Sequence, residues 1–246
     1  MFGRKKLAMI VAEFLGSAIL TSVVLAVSKS AVGLPYFVAI AAGVTFGVLP
    51  LIIGGMSGAH INPVVTVGLW TVRKIQTLEA VVYIAAQFLG AVVALRLYVY
   101  LVDQSIKNTA NKNFDWRVLV AEMVGTFIFT FGVASAIYQG MKGLRLAVTV
   151  GTSLFLGMVV AAVASNGLVN PALALGVQSW NKEYVIGPIV GALVGVNLYA
   201  ILFEGPSVRL WTTSKAAASR PAVASKPVVK PATKARAKKP ATRRKR

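Results

Sequence analysis

Two eight-residue stretches decide how this chain folds: SGAHINPV at residues 57–64 and SNGLVNPA at residues 165–172. Each contains an Asn-Pro pair, Asn62-Pro63 or Asn170-Pro171, and each follows a long hydrophobic run. Because Asn is favoured at the N-cap of a helix and Pro at its first position, each pair predicts the start of a short helix. The preceding hydrophobic runs indicate that both helices begin at membrane depth.

The rest of the chain has the composition of a multi-pass membrane protein. Of its 246 residues, 57% are hydrophobic and only 13% are charged. Runs of about 20 apolar residues are long enough to cross a hydrocarbon core of about 30 Å. Six such runs occur, at about 7–27, 36–56, 78–102, 116–138, 144–165 and 184–204. The first is too long for a signal peptide, so we interpret it as a permanent span.

Basic residues concentrate in the loops that alternating spans place on one side of the membrane. These clusters are Arg4–Lys6, Arg73-Lys74 and the pair Lys142 and Arg145, whereas the opposite loops are nearly balanced in charge. The positive-inside rule makes the basic side cytoplasmic. We therefore expect both termini in the cytoplasm and a location in a plasma membrane or bacterial inner membrane.

The two halves of the chain repeat each other. The segment AEFLG at 12–16 matches AEMVG at 121–125, and Gly90-Ala91 in the third span matches Gly191-Ala192 in the sixth. Each half contains three spans and one short helix, and an odd number of spans inserts the second half upside down. This pattern predicts an inverted repeat with its functional site near the membrane midplane, where the halves meet.

Together these motifs resemble the aquaporin, or major intrinsic protein, family. The segments QFLGA at 87–91 and GPIVGA at 187–192 add to the resemblance, which covers about residues 7–205. It implies an all-α membrane protein with six tilted transmembrane helices and two re-entrant half-helices in an inverted 3+3 repeat around a pore. It also implies a homotetramer with four pores.

The physical argument from the Asn-Pro stretches leads to the same pore. Non-helical backbone at membrane depth is tolerated only where it is buried in protein or lines a water-filled cavity. The half-helices, about 63–72 and 171–180, would span the bilayer by meeting end to end. Asn62-Pro63-Val64 and Asn170-Pro171-Ala172 would then lie at the pore centre. Both Asn amides could donate to a neutral solute, and the positive helix ends would repel cations.

Three ionisable side chains are candidates for a role beside the Asn-Pro stretches: two carboxylates at equivalent positions of the repeats, and one His within the first stretch. Glu13 and Glu122 fall within predicted spans, where a charged group is by default a functional candidate. One interpretation is a proton or ion relay; the other is that each carboxylate accepts N–H groups of a re-entrant loop and braces it. The symmetry of the pair and the resemblance favour bracing. His60, the only His, is expected to pack within its loop, with a pore-facing pH sensor as the alternative.

One position departs from the family's pattern. The family places an Arg directly after the second Asn-Pro-Ala, where it narrows and charges the outer constriction, and this chain has Leu173 there. The other constriction positions fall on Ala42, Met158 and Gly167. We expect an apolar and wider ring without the donors and charge of Arg. Strict water selectivity is then weaker, and small neutral or amphipathic solutes are better tolerated.

Arg96 lies late in the third span, toward the outer face. The plain interpretation is that its long side chain extends to the lipid headgroups. The alternative is that it reaches the outer vestibule and partly replaces the missing constriction charge.

The organisation along the chain is a cytoplasmic N-terminus (1–6), a channel domain (7–211, with repeats at about 7–107 and 114–211) and a basic tail (212–246). The tail contains 12 Lys or Arg and no acidic residue, which predicts disorder. It could be a solvated tail that enforces topology, or it could contact anionic lipid. Nonspecific contact with nucleic acid is the least favoured of the three.

The leading functional hypothesis is a passive channel for water and small neutral solutes such as glycerol, urea, ammonia or gases. The alternatives are an inverted-repeat transporter that couples a solute to H⁺ through Glu13 or Glu122, and a non-conducting structural membrane protein. An enzyme is not expected, because one His, no Cys and seven acidic residues form no nucleophile–base or metal-ligand pattern. A channel also requires no cofactor or metal.

Overall fold

The structure is a computed structural model that describes residues 3–30 and 33–203. The described part is all-helical, and six of its helices are long and apolar enough to cross a membrane. Two further helices, α3 and α7, are short. The bounds are α1 Arg4–Ser28, α2 Pro35–Ser57, α3 Pro63–Thr71, α4 Thr77–Val102, α5 Trp116–Tyr138, α6 Gly143–Ala161, α7 Pro171–Gly176 and α8 Glu183–Phe203.

Two helices end earlier than the sequence predicted. The expected span at 144–165 ends at Ala161 because the chain turns there: the Ser165 N–H bonds the Ala161 carbonyl at 3.0 Å. The expected half-helix at 171–180 ends at Gly176. Gln178 adopts a left-handed φ of 57°, and the next N–H returns to the carbonyl of Ala174 at 2.8 Å. Each turn ends its helix within an apolar stretch, where the hydrophobic pattern alone predicts that the helix continues.

The order of the helices repeats as long, long, short, long. In the first half α1 packs on α2 and α4, and in the second half α5 packs on α6 and α8. The short helices exchange partners, because α3 packs on α8 and α7 packs on α4. Helices α2 and α6 join the halves on another side. This exchange is the packing that an inverted repeat requires, and it brings the starts of α3 and α7 together.

Matched glycines allow the long helices of each half to touch. A Cβ added to Gly90 would overlap the carbonyl oxygen of Phe14, and one added to Gly191 would overlap that of Met123. Small residues at such crossings are typical of transmembrane helix packing. The backbones of α1 and α4, and of α5 and α8, are therefore as close as the chain permits.

The expectations for the basic tail at 212–246, and for the end of the second repeat after residue 203, lie outside the described residues.

Candidate pore

Both short helices begin at the Asn residues that the sequence singled out. Asn62 has an extended backbone with a φ of −155°, and its Oδ1 accepts the N–H of Val64 at 3.0 Å. Asn170 has the same φ, and its Oδ1 accepts the N–H groups of Ala172 and Leu173 at 3.0 and 3.2 Å. Pro63 and Pro171 occupy the first helical positions. Each Asn is therefore a helix N-cap, and its Nδ2 amide is directed away from its own helix start.

The two Asn residues meet in the centre of the molecule. The Nδ2 of Asn62 donates to the carbonyl of Val169, the residue before Asn170, at 3.2 Å. The second Nδ2 hydrogen of Asn62 is not used in this bond. In the described part of the chain, no acceptor bonds the Nδ2 of Asn170. Both side chains are almost inaccessible, with exposures of 0% and 2%. Amide donors from both halves therefore lie together at a buried point.

Glu13 holds the first re-entrant loop. Its Oε1 accepts the Ser57 hydroxyl at 2.6 Å and the His60 N–H at 2.9 Å, and its Oε2 accepts the Ile61 N–H at 2.7 Å. Gln87 adds a fourth donor through its Nε2 at 2.8 Å. The carboxylate is fully buried, so these four bonds replace its hydration.

Glu122 holds the second loop in the same way. Its Oε1 accepts the Ser165 hydroxyl at 2.7 Å and the Leu168 N–H at 3.0 Å, and its Oε2 accepts the Val169 N–H at 2.7 Å. This carboxylate is also fully buried. The two carboxylates thus occupy equivalent positions, except that no counterpart of Gln87 donates to Glu122, because Pro188 stands at the matching position of α8.

The loops contain strained residues at equivalent positions. Ile61 and Val169, directly before the two Asn residues, have left-handed φ values of 42° and 45°. This conformation is rare for β-branched side chains and persists only where surrounding contacts impose it. Both residues are fully buried, and their N–H groups bond the two carboxylates. This backbone strain could not be predicted from the sequence.

His60 lies within the first loop. Its Nδ1 is 3.1 Å from the Thr66 hydroxyl, and its ring packs edge-on against Tyr83 with a centroid separation of 5.4 Å. Tyr83 donates its hydroxyl to the Ser57 carbonyl at 3.1 Å. The repeat-related Tyr184 accepts the N–H of Asn166 at 2.9 Å. Sequence reasoning missed this tyrosine pair, although each stands at the same distance before Gly90 or Gly191, so an alignment of the two repeats would have found it.

The four expected constriction residues are all buried in the structure. Ala42, Met158 and Leu173 have exposures of 0%, 2% and 1%, and Gly167 is buried as well. Gly167 adopts a left-handed φ of 62°, and a Cβ there would be 2.6 Å from the Met158 carbonyl oxygen. The backbone of Gly167 therefore lies against the part of α6 that carries Met158, and the apolar, wider ring stays a prediction from the sequence.

Arg96 is exposed on α4 beside Val93 and Leu97, which are also exposed. The buried stripe of α4 includes Gly90 and Ala94, on the opposite side of the helix. This placement favours an interfacial side chain over one that reaches the constriction.

Comparison with known proteins agrees with this architecture. The model of the major intrinsic protein family matches residues 3–199. The chain belongs to the major intrinsic protein family. Aquaporin AqpM of Methanothermobacter marburgensis is 34% identical over 200 residues, which cover 70% of this chain and 76% of that protein. Aquaporin Z of Photorhabdus laumondii is 29% identical over 221 residues, which cover 78% of this chain and 96% of that protein.

A solved structure shares the fold. The X-ray structure of the aquaglyceroporin from Plasmodium falciparum superposes with a TM-score of 0.62 over 82% of this chain and 96% of that chain, at 19% identity. Membership of the major intrinsic protein family makes this chain a multi-pass membrane channel for water or small solutes, and not an enzyme. The aquaporin resemblance seen in the sequence and the predicted fold class are confirmed.

Proposed function

We propose that this channel conducts small uncharged solutes passively and in single file past Asn62 and Asn170. The observation that carries the proposal is the Asn62 to Val169 hydrogen bond, which joins the two re-entrant loops where α3 and α7 begin. Each remaining amide hydrogen is a donor that a neutral solute can use without a charge being present. The solutes are water and molecules such as glycerol, urea, ammonia or gases.

The buried carboxylates support a passive channel over a proton-coupled transporter. Glu13 accepts four hydrogen bonds and Glu122 accepts three, and in each case two of the donors are backbone N–H groups of a re-entrant loop. Protonation would remove an acceptor from a loop that already contains a strained residue. A relay that alternates between protonation states would therefore disrupt the loop in each cycle, whereas a brace keeps one state.

The orientation of the channel in the membrane is proposed from the distribution of its basic residues. We propose that the side carrying Arg4–Lys6, Arg73-Lys74, Lys142 and Arg145 faces the cytoplasm of a plasma or bacterial inner membrane, by the positive-inside rule. The basic tail would then be near anionic lipid on that side, and binding to nucleic acid is not part of the proposal.

A homotetramer is the proposed assembly. An exposed apolar groove of about 400 Å³ runs between α2 and α6, lined by residues such as Val44, Val48 and Val148, and could accept a neighbouring subunit. Native mass measurement in detergent tests this, with an expected mass of four times the 25.9 kDa chain. A monomer under conditions that preserve solute permeation would contradict it.

Proteoliposome flux tests the passive mechanism. We expect at least one of water, glycerol, urea and ammonia to enter faster than into empty vesicles, and its final internal concentration to equal the external one. For the non-ionising solutes water, glycerol and urea, an imposed pH gradient should change neither the rate nor the end point, also in Glu13→Gln and Glu122→Gln variants that fold. Accumulation of glycerol or urea above the external concentration under a pH gradient would establish a transporter. Permeability equal to that of empty vesicles for every solute would establish a non-conducting protein.

A further inference from the structure

A groove between α1 and α4 opens at the face of the molecule where both helices begin. Its volume is about 240 Å³. The lining residues are Lys6, Met9 and Ile10 of α1, Gln76 just before α4, and Leu78, Glu79, Val82 and Tyr83 of α4. We call it the α1–α4 groove. Because both helices are long and apolar enough to cross a membrane, their first turns place the groove at the membrane boundary.

Charged and apolar side chains are separated along this groove. Lys6 and Glu79 lie in the first turns of α1 and α4. Ile10 and Val82 follow about one helical turn further along the same helices. In a membrane this order places the charged groups at the level of the lipid headgroups and the apolar groups at the level of the acyl chains. The groove therefore has the polarity of a single lipid molecule.

Tyr83 forms the floor of the groove and connects it to the first re-entrant loop. Its side chain is 2% exposed, and its hydroxyl donates to the Ser57 carbonyl at 3.1 Å. Its ring also packs edge-on against His60, with a centroid separation of 5.4 Å. A molecule that fills the groove would therefore support a side chain that contacts the loop, and it should stabilise the folded protein.

The groove carries one positive and one negative side chain that do not pair with each other. In the described part of the chain, no ion pair joins Lys6 to Glu79. The neighbouring charged residues, Arg4, Lys5 and Arg73-Lys74, are all basic. Glu79 is thus an acidic group on a basic face, and it would favour a ligand whose cationic group lies beside it while an anionic group contacts Lys6.

No other described acidic residue occupies a similar place. Glu13 and Glu122 are buried and bind the re-entrant loops. Asp103, Asp115 and Glu183 lie where α4 ends and where α5 and α8 begin, at the opposite face. The acidic charge in the α1–α4 groove is therefore specific to this site.

The repeat-related region of the second half has different chemistry. Tyr184, the counterpart of Tyr83, lines a cavity of about 160 Å³ beside α5 and α8. Most of the other residues that line this cavity carry amide or hydroxyl groups: Thr109, Asn111, Ser165, Asn166 and Asn181. An apolar groove with two opposite charges at its end is therefore not a consequence of the inverted repeat.

We propose that the α1–α4 groove binds phosphatidylethanolamine, with the phosphate at Lys6, the ammonium group at Glu79 and an acyl chain along Ile10 and Val82. This lipid supplies both charges, and its ammonium N–H groups can donate to a carboxylate. A choline headgroup has no N–H group, and an anionic headgroup without an ammonium group would leave Glu79 beside negative charge. In the proposed orientation the lipid belongs to the cytoplasmic leaflet. The site goes beyond the passive channel and does not depend on which solute passes.

The test is thermal unfolding of the purified full chain in detergent with added lipid. Phosphatidylethanolamine, phosphatidylcholine and phosphatidylglycerol are compared with identical dioleoyl chains, so that only the headgroup differs. We expect phosphatidylethanolamine to raise the unfolding midpoint by about 2–4 °C and the other two lipids to raise it less. Glycerophosphoethanolamine, which has the same headgroup and no acyl chains, should leave the midpoint unchanged.

Substitutions separate the contributions of the two charges. Lys6→Gln should abolish the shift caused by phosphatidylethanolamine, because the phosphate loses its partner. Glu79→Gln should abolish the preference, so that phosphatidylglycerol raises the midpoint at least as much as phosphatidylethanolamine. An acidic residue in the first turn of α4 also stabilises the helix, so each variant is compared with and without lipid. The matched control is Lys5→Gln, which should keep the wild-type shift because Lys5 does not line the groove.

Three results would overturn this site. Equal shifts with the three lipids, or no shift with phosphatidylethanolamine, would mean that the groove does not select this headgroup. A full shift with glycerophosphoethanolamine would assign the groove to a soluble zwitterion instead of a lipid. A preference for phosphatidylethanolamine that persists in Lys6→Gln and Glu79→Gln would place the lipid elsewhere on the protein. If Glu79→Gln does not fold, Lys6→Gln decides the question.

Discussion

At the scale of single residues, the centre of this channel combines strain with the hydrogen bonds that hold it. Ile61 and Val169 adopt left-handed backbone conformations that their side chains disfavour. Each is held by a carboxylate, Glu13 or Glu122, that comes from the first long helix of its half. Neither group would keep its geometry alone, because a buried carboxylate needs the donors and the strained loop needs the acceptor.

Substitution of Glu13 tests whether the loop depends on the carboxylate. Glu13→Ala leaves the buried N–H groups of His60 and Ile61 without an acceptor, at about 1–3 kcal/mol for each group. We expect a clear loss of thermal stability in detergent, and a smaller loss for Glu13→Gln, which keeps one acceptor oxygen. Equal melting temperatures for the wild type and Glu13→Ala would show that the carboxylate does not brace the loop.

Ala59 offers a test of the strain itself. It has a left-handed φ of 52°, which costs a non-glycine residue about 1–2 kcal/mol, so Ala59→Gly should relieve strain. Because only one methyl group is lost, we expect stability to be unchanged or increased. The matched control is Ala39→Gly, in which a buried alanine of α2 is replaced and about 1 kcal/mol is lost. Equal destabilisation by both substitutions, measured by thermal unfolding, would contradict the strain at Ala59.

At the scale of the elements, close helix crossings fix where the loops and short helices lie. Gly90 lets α4 touch α1, which carries Glu13, and Gly191 lets α8 touch α5, which carries Glu122. The donors to each carboxylate can therefore reach it only while these crossings remain tight. Packing of the long helices and geometry of the re-entrant loops are coupled in this way.

Replacement of these crossing glycines should destabilise the protein. Gly90→Ala and Gly191→Ala each force a Cβ into a backbone carbonyl, and overpacking of this kind costs about 1–3 kcal/mol. Gly55→Ala is the matched control, since a Cβ at this position in α2 has no heavy atom within 4 Å. Thermal unfolding in detergent should show a lower midpoint for Gly90→Ala and Gly191→Ala, and an unchanged midpoint for Gly55→Ala. A normal midpoint for Gly90→Ala would mean that α1 and α4 can separate freely.

The starts of the helices were predictable from the sequence, but several ends were not. Asn-Pro pairs mark the starts of α3 and α7 because Asn caps a helix and Pro opens one. At the end of α6, the Ser165 N–H bonds the Ala161 carbonyl and its hydroxyl bonds Glu122, and at the end of α7 the Ser179 N–H returns to the Ala174 carbonyl. An apolar run does not encode these bonds, so hydrophobicity alone predicts both helices too long.

At the scale of the whole molecule, an inverted duplication places two loops from opposite faces at one point. The exchange of α3 and α7 between the halves brings Asn62 within hydrogen-bonding distance of Val169. The internal repeat in the sequence was sufficient to predict this meeting. It was not sufficient to predict the left-handed backbone of Ile61 and Val169, because the bonds to Glu13 and Glu122 that accompany this conformation come from distant parts of the chain.

The most direct test of the proposed pathway is the solute permeability of an Asn170→Ser variant. Ser keeps the helix cap but removes the amide donor, and the loss of a hydrogen bond of about 1 kcal/mol should slow passage severalfold. The control is Asn111→Ser, because Asn111 is exposed and distant in sequence from both Asn-Pro pairs. The account predicts that protein-dependent uptake falls in Asn170→Ser and is unchanged in Asn111→Ser. Wild-type uptake by a folded Asn170→Ser protein would contradict passage along the paired Asn residues.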